Sequence, residues 1–221
     1  MTSTAEEYTD ATGALEGIVA MTGAESVLVI PAEALDRAGL SHGFARSGRP
    51  IVSLDRARWM SRDLAEGDEA WRQIIPYVIV QVGDRILSYA RTPRGAESRL
   101  HGFRSIGVGG HVNPSDLPAG LDAVRRSSVD ALAGAARREI AEETRGITDP
   151  EMRFLGYLRD DDTAVARVHV GFVYRIHTAS ADLSQEGRMT APRLLSWKEL
   201  HAEKAEYEGW SRLIIETEAV P

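Results

Sequence analysis

Three carboxylates lie within little more than one helical turn in the segment REIAEETRGI, residues 138–147. At about 100° per residue, Glu139 and Glu143 project roughly 40° apart on a helix, and Glu142 lies roughly 60° from Glu139 on its other side. An apolar stripe at helical spacing lies beside them, formed by Val129, Leu132, Ala133, Ala136 and Ile140. Like charges at this spacing destabilise an isolated helix. The segment therefore predicts an amphipathic helix whose partly buried acidic edge faces a cation.

A strand-like, glycine-rich run, SIGVGGHV at residues 105–112, precedes this helix. Glycines in such a run let a backbone carbonyl approach a ligand or an ion closely. The run favours a binding site over the alternative, a solvated helix in which Arg138 pairs with Glu142 and Gly146 forms the C-cap.

The glycine run and the acidic helix together resemble the Nudix hydrolases. The box of that family reads Gly-x5-Glu-x7-Arg-Glu-aliphatic-x-Glu-Glu-x-Gly-aliphatic, and it forms a loop, helix and loop that hold divalent cations against a diphosphate. Residues 138–143 match the core of the box. The motif GGHVNP at residues 109–114 is similar to that of a Nudix subgroup described as predicted phosphoesterases. The resemblance covers about residues 74–216 and implies an α/β/α sandwich with a mixed sheet.

The sequence departs from the box at two places. One extra residue follows Glu143, and the first Glu of the box becomes Asp130, which keeps the seven-residue spacing to Arg138 but lies 20 positions after Gly110. This alignment implies about fourteen inserted residues before the helix. Asp130 is then expected to support Arg138 or the metal shell, or alternatively to close a capping box with Ser127 at the start of the helix.

Composition excludes several classes of function. The chain has no Cys, which excludes disulfides, thiolate zinc sites and the thiol chemistry of the isopentenyl diphosphate isomerase branch of the Nudix fold. The net charge of −7 argues against broad nucleic-acid binding, which needs a basic surface. No apolar run approaches the ~20 residues of a membrane span, and the N-terminus lacks the features of a signal peptide, so we expect a cytoplasmic protein that does not enter a membrane.

Hydrophobic periodicity predicts an α/β chain. An N-terminal α/β extension, residues 1–73, is expected to pack on a Nudix hydrolase domain, residues 74–221. Residues 1–24 are polar and are expected to carry none of the chemistry. The other predicted elements are a strand at 26–30, helices at 32–38 and about 61–73, a hairpin at 75–82 and 85–90, a second hairpin at 152–159 and 164–177, a strand at 193–197, and a helix at 208–215. Ser196 is expected to cap a further helix, with Glu199 completing a capping box.

The resemblance assigns roles to individual residues. The expected metal ligands are Glu139, Glu142, Glu143 and the carbonyl of Gly109 or Gly110, and the ion is Mg²⁺ or Mn²⁺ because hard cations prefer oxygen ligands. Glu139 would orient or deprotonate a water, with Glu142 beside it and Arg138 holding the carboxylates in place. A base on a downstream loop, either Glu186 or the cluster at residues 160–162, is an open alternative. Arg99, Arg104 and His111 are expected to bind substrate phosphates.

These expectations converge on a metal-dependent hydrolase that cleaves a diphosphate bond, in a nucleoside diphosphate linked to another group. The partner is a small, nucleotide-like phosphorylated substrate, and a homodimer is compatible with the sequence. An alternative is a Nudix-fold module that senses a nucleotide or sugar phosphate without cleaving it. A third is a scaffold that only binds a protein partner.

Overall fold

A ten-stranded mixed sheet forms the centre of the protein. The computed structural model describes residues 25–92, 102–126, 128–184 and 189–219. The strands are β1 (Ser26–Pro31), β2 (Gly43–Arg46), β3 (Arg58–Ser61), β4 (Trp71–Val82), β5 (Arg85–Arg91), β6 (Arg104–Ser105), β7 (Gly107–Gly109), β8 (Thr144–Arg145), β9 (Arg153–Arg159), β10 (His169–Thr178), β11 (Asp182–Leu183) and β12 (Met189–Leu195). The helices are α1 (Glu33–Arg37), α2 (Arg62–Glu66), α3 (Leu121–Arg126), α4 (Ser128–Glu143), α5 (Trp197–Ala202) and α6 (Gly209–Thr217), with 3₁₀ turns at Pro114–Asp116, Ala166–Val168 and Lys204–Glu206.

The sheet is built around β4. Its main strand order is β12-β5-β4-β10-β9-β2, while β1 and β7 also pair with β4, β3 with β1, and β6 with β5. The pairing of β10 with β4 is parallel, with His169 opposite Gln73 at one end, and the other pairings in this sheet are antiparallel. Strands β8 and β11 form a separate two-stranded sheet.

The two faces of the sheet pack against different helices. Successive side chains of a strand point to opposite faces, and in β4 Ile74 and Val78 join the buried cluster that contains Ile140 of α4. Tyr77 and Ile79 join the cluster that contains Ile214 of α6. The mixed sheet with helices on both faces is the predicted α/β/α sandwich.

The N-terminal segment shares the central sheet. Strand β1 pairs with β4 at residues 29–31 and 71–73, and β2 pairs with β9. The predicted domain boundary at residue 73 therefore falls inside β4. The helix predicted for 61–73 is shorter in the structure, where α2 ends at Glu66 and the chain is extended from Trp71. Pairing with β1 and β10 overrides the helical pattern of these residues.

Other local predictions match the structure. The two hairpins form as β4–β5 and β9–β10, and the strand at 26–30 and the C-terminal helix are present as β1 and α6. Ser196 and Glu199 make the capping box at the start of α5. Residues 1–24 lie outside the described residues. No helix within the described ranges has the length and apolarity required to cross a membrane.

Candidate active site

Helix α4 carries the acidic residues at the edge of the core. Leu132, Ala136 and Ile140 are buried against the sheet, as the apolar stripe predicts. Glu139 is also buried, with 6% of its surface exposed, whereas Glu142 is exposed. Glu139 is thus the carboxylate of the box that the fold withdraws from bulk water.

Gly110 makes room for the Glu139 carboxylate. A β-carbon on Gly110 would lie 2.4 Å from Oε1 and 2.5 Å from Cδ of Glu139, closer than non-bonded atoms can approach. A β-carbon on Gly109 would lie 2.2 Å from the Pro76 carbonyl oxygen. Both glycines are therefore required for close approach: a glycine at 109 lets β7 pack on β4, and Gly110 brings its backbone against the carboxylate.

Arg138 connects the helix to the loop that follows the glycines. Its Nη1 donates to Glu139 Oε1 at 2.6 Å and to Glu142 Oε1 at 3.2 Å. Its Nη2 donates to the backbone carbonyl of His111 at 2.9 Å. Two further bonds go to Asp116, a carboxylate not predicted from the sequence: Nε donates to Asp116 Oδ1 at 2.8 Å and Nη2 to Asp116 Oδ2 at 3.1 Å.

Asp116 makes the contact with Arg138 that was expected of Asp130. Its side chain is only 4% exposed, and Oδ2 also accepts a hydrogen bond from the Asn113 backbone N–H at 2.8 Å. Asp130 instead lies exposed in the first turn of α4. Five residues separate Gly110 from Asp116, which is the spacing that the box has at this point. The inserted residues therefore follow Asp116 and include α3, and this spacing was the signal that could have identified Asp116.

The electrostatics of the site follow from this burial. Burial raises the pKa of Glu139 above its ordinary value; the Arg138 charge and hydrogen bond oppose this shift, and the charges of Glu142 and Glu143 reinforce it. The hydrogen bond to Asp116 raises the pKa of Arg138. Arg138 therefore stays charged, and Glu139 holds a proton more tightly than an exposed glutamate does.

His111 contributes its backbone to the site. Its carbonyl oxygen accepts from Arg138, while its ring lies 5.6 Å, centroid to centroid, from the ring of His169. Burial, with the nearby charges of Arg62, His169 and Arg138, lowers the pKa of His111 to about 3, so the imidazole is neutral. Its Nε2 is buried without a hydrogen-bond partner.

The expected phosphate-binding arginines have different positions. Arg104 is part of the sheet: its Nε donates to Ser88 Oγ at 2.9 Å and its Nη2 to the Ala191 carbonyl at 3.0 Å. These bonds tie β6 to β5 and β12, so Arg104 has a structural role where the sequence suggested a substrate ligand. Arg99 lies outside the described residues.

The acidic turn at residues 160–162 is also placed by the structure. His42 Nδ1 and carboxylate oxygens of Asp160 and Asp162 lie within 4.8 Å of one another, a spacing that a metal ion could use. The Nδ1 atom, however, accepts a hydrogen bond from the Asp161 backbone N–H at 3.2 Å, so its lone pair is already engaged. We therefore interpret this group as a hydrogen-bonded turn. Glu186, the other residue proposed as a downstream base, lies outside the described residues.

The glycine run and helix α4 together offer ligand atoms that suit a hard divalent cation. These are carboxylate oxygens from α4 and backbone carbonyls from Gly109 and Gly110, which are the ligand types that Mg²⁺ and Mn²⁺ prefer. The contact between Gly110 and Glu139 brings the two halves of this set together.

Comparisons with known proteins support the fold. No family model matches the chain. The chain is 32% identical over 158 residues to Protein YmaB of Bacillus subtilis (strain 168), covering 67% of this chain and 73% of that protein. Among solved structures, Tm1382, described as a Nudix hydrolase, has 29% identity and a TM-score of 0.70 and covers 87% of this chain and 97% of its own. DR0079 from Deinococcus radiodurans, at 16% identity, TM-score 0.50 and coverage of 72% and 89%, shows a similar fold. The chain therefore belongs to the same family as YmaB, and it has the Nudix fold of Tm1382.

Proposed function

We propose that the protein is a hydrolase that cleaves a diphosphate bond in a small, nucleotide-like substrate with the help of Mg²⁺ or Mn²⁺. The observation that supports this most directly is the unit formed by Gly110, Glu139, Arg138 and Asp116. A buried carboxylate is held against the backbone of Gly110 by an arginine that is itself fixed by a second carboxylate. Keeping the Glu139 carboxylate charged at this buried position costs stability, which a purely structural helix would have no reason to maintain.

The proposed ligands are Glu139, Glu142, Glu143 and the carbonyl of Gly109 or Gly110. When bound, the ion would polarise phosphate oxygens and lower the pKa of an attacking water. Glu139 would orient this water or accept its proton, since its pKa is raised towards the working range of a general base. Arg138 would keep Glu139 and Glu142 in register on α4.

The substrate class follows from the family resemblance. A diphosphate between a nucleoside and another group presents two adjacent anionic phosphates, which the oxygen ligands can bind only through cations. The net charge of −7 makes the cations necessary for attraction as well as for chemistry.

Turnover of a substrate panel tests this proposal. The purified protein is incubated with Mg²⁺ or Mn²⁺ and nucleotide sugars, dinucleoside polyphosphates, NAD-type dinucleotides or nucleoside triphosphates, and the released phosphate species are measured. We expect metal-dependent cleavage that is lost with a chelator and reduced in Glu142→Gln. Glu216→Gln is the matched control, because Glu216 is an exposed glutamate paired with Lys204 outside the site.

Binding of one of these compounds without turnover would overturn the proposal and support the sensor alternative. Equal turnover by wild type and Glu142→Gln would remove α4 as the source of the activity.

A further inference from the structure

One arginine of the segment 91–104 remains without a role. Of its four arginines, Arg94 and Arg99 lie outside the described residues, and Arg104 is engaged with Ser88 and Ala191. Arg91 is the last residue of β5. Its backbone lies opposite Met189 of β12, and its N–H donates to the Phe103 carbonyl at 3.2 Å.

The side chain of Arg91 lies on the α4 face of the sheet. Leu87 and Tyr89, the preceding residues of the same parity in β5, belong to the buried cluster that contains Ile140 of α4, whereas Ile86 belongs to the cluster on the opposite face. Because side chains alternate along a strand, Arg91 shares the face of Leu87 and Tyr89.

Chain connectivity limits the distance between Arg91 and the end of α4. The Ser184 N–H donates to the Glu143 carbonyl at 2.9 Å, and Met189, five peptide steps later, lies opposite Arg91. Five steps span at most about 18 Å. Tyr89, two residues before Arg91, donates to the Gly107 carbonyl at 2.5 Å, which ties this part of β5 to the glycine strand of the site.

The guanidinium of Arg91 is not used by its neighbours. Within the part of the chain that the structure describes, no carboxylate forms an ion pair with it, and its Nε is buried without a hydrogen-bond partner. Buried guanidinium N–H groups are costly to leave unpaired. The residue as a whole is partly exposed, and the exposed part of the guanidinium is what an incoming anion would meet.

Two carboxylates influence Arg91 without pairing with it. Burial lowers the pKa of Arg91, but the charges of Tyr89, Glu208, Tyr77 and Glu143 outweigh this and raise it overall. The Glu208 carboxylate is satisfied by Tyr77 and by the first turn of α6, where Tyr77 Oη donates to it at 2.9 Å and the Ser211 hydroxyl at 2.6 Å. Within the described residues, the Glu208 carboxylate therefore does not pair with Arg91.

We propose that Arg91 forms a phosphate-binding subsite beside Glu143, in which the guanidinium fork binds non-bridging oxygens of the substrate diphosphate. An arginine fork matches the geometry of phosphate oxygens and forms charge-assisted hydrogen bonds. This inference rests on the proposed diphosphate substrate and names the residue that orients it.

Calorimetric binding of inorganic diphosphate, in the presence of Mg²⁺, tests the subsite without requiring turnover. We expect Arg91→Gln to weaken the affinity about tenfold to a hundredfold, the effect of losing a charged hydrogen-bonding pair. Arg91→Lys keeps the charge but not the fork, so it should remain at least about threefold weaker than wild type. Arg175→Gln is the control, because Arg175 is also a partly buried strand arginine with an unpaired Nε, but lies near Trp197 and Glu218.

If Arg91 serves only as a counter-charge that stabilises buried Glu208, the result is different. Lysine would then restore diphosphate affinity fully, and that outcome overturns the proposal, as does wild-type affinity in Arg91→Gln or an equal loss in Arg175→Gln. If Arg91→Gln fails to fold, Arg91→Lys decides. With an active substrate, the loss should raise KM in Arg91→Lys.

The two proposals can fail separately. Arg91-dependent diphosphate binding by a protein that hydrolyses none of the panel would support the subsite and reject the hydrolase. Metal-dependent hydrolysis with an unchanged KM in both Arg91 variants would support the hydrolase and reject the subsite.

Discussion

Replacing Asp116 by Asn should damage both the stability and the site of this protein. The substitution removes the charge from a side chain that is 4% exposed and that accepts hydrogen bonds from Arg138 Nε at 2.8 Å, Arg138 Nη2 at 3.1 Å and the Asn113 N–H at 2.8 Å. An asparagine has one acceptor oxygen where aspartate has two. At least the bidentate pairing with Arg138 is therefore lost.

The size of the effect can be worked out from the contacts that remain. Breaking a buried ion pair by removing one partner costs about 3–5 kcal/mol. Arg138 is 27% exposed and keeps its bonds to Glu139 and Glu142, so we expect a smaller loss, about 2–3 kcal/mol. For a chain of this size that corresponds to a melting temperature lower by about 4–12 °C.

The effect on activity comes through Glu139. Without its bonds to Asp116, the Arg138 side chain can move with either Glu139 or Glu142. The buried Glu139 carboxylate then loses its fixed position against Gly110. A misplacement of this kind should lower kcat by about tenfold to a hundredfold. Melting temperature and metal-dependent turnover are measured on the same preparations.

Asp130→Asn is the matched control, since it makes the same chemical change 14 positions later in the chain. Asp130 is exposed in the first turn of α4, where a carboxylate contributes at most about 1 kcal/mol through capping and the helix dipole. We expect near-normal turnover. A larger loss in Asp130→Asn than in Asp116→Asn would refute the assignment of Asp116 as the partner of Arg138.

Three further changes probe the site. Gly110→Ala should reduce turnover strongly because its β-carbon would overlap the Glu139 carboxylate, whereas Gly48→Ala, with no atom within 4 Å of the added carbon, should be neutral in the same assay. Glu139→Gln should stabilise the metal-free protein at neutral pH. The pKa of Glu139 is raised in the folded protein. Its contribution to stability is therefore full below the unfolded pKa of about 4.3 and is lost as the pH rises through the folded pKa. Urea titrations at several pH values should show the stabilities of wild type and variant converging in acid. Glu143→Gln should lower metal-dependent turnover about a hundredfold to a thousandfold with an unchanged melting temperature, and full activity would exclude Glu143 as a ligand.

Local periodicity is sufficient to predict α4 and the hairpins, because each of these elements carries its own pattern of apolar residues, whereas the sandwich follows from the resemblance to the Nudix hydrolases. The role of Asp116 is hard to predict because a loop that contains its own helix separates it from Arg138. Counting forward from Gly110 would have found it. The start of β4 was missed since Trp71, Arg72 and Gln73 become a strand only through partners distant in sequence.

The positions and partners of individual side chains are the least predictable part of the site. The sequence shows that four arginines precede the glycine strand, but their use depends on strand register. Arg104 sits on the strand that reaches Ser88 and Ala191, while Arg91 occupies the face that looks towards α4. The ring of His111 is likewise directed by its packing beside His169.

The pairing of β1 with the rest of the sheet affects how the chain can be shortened. The Leu28 N–H donates to the Val112 carbonyl at 3.1 Å, directly between the glycine run and the turn that carries Asp116. A chain that began at residue 74 would lose this anchor and strand β2, which pairs with β9. It would also leave a bare strand edge, the kind of surface on which proteins aggregate. We therefore expect such a truncated chain to precipitate or self-associate, so that the smallest workable unit for biochemistry begins no later than β1.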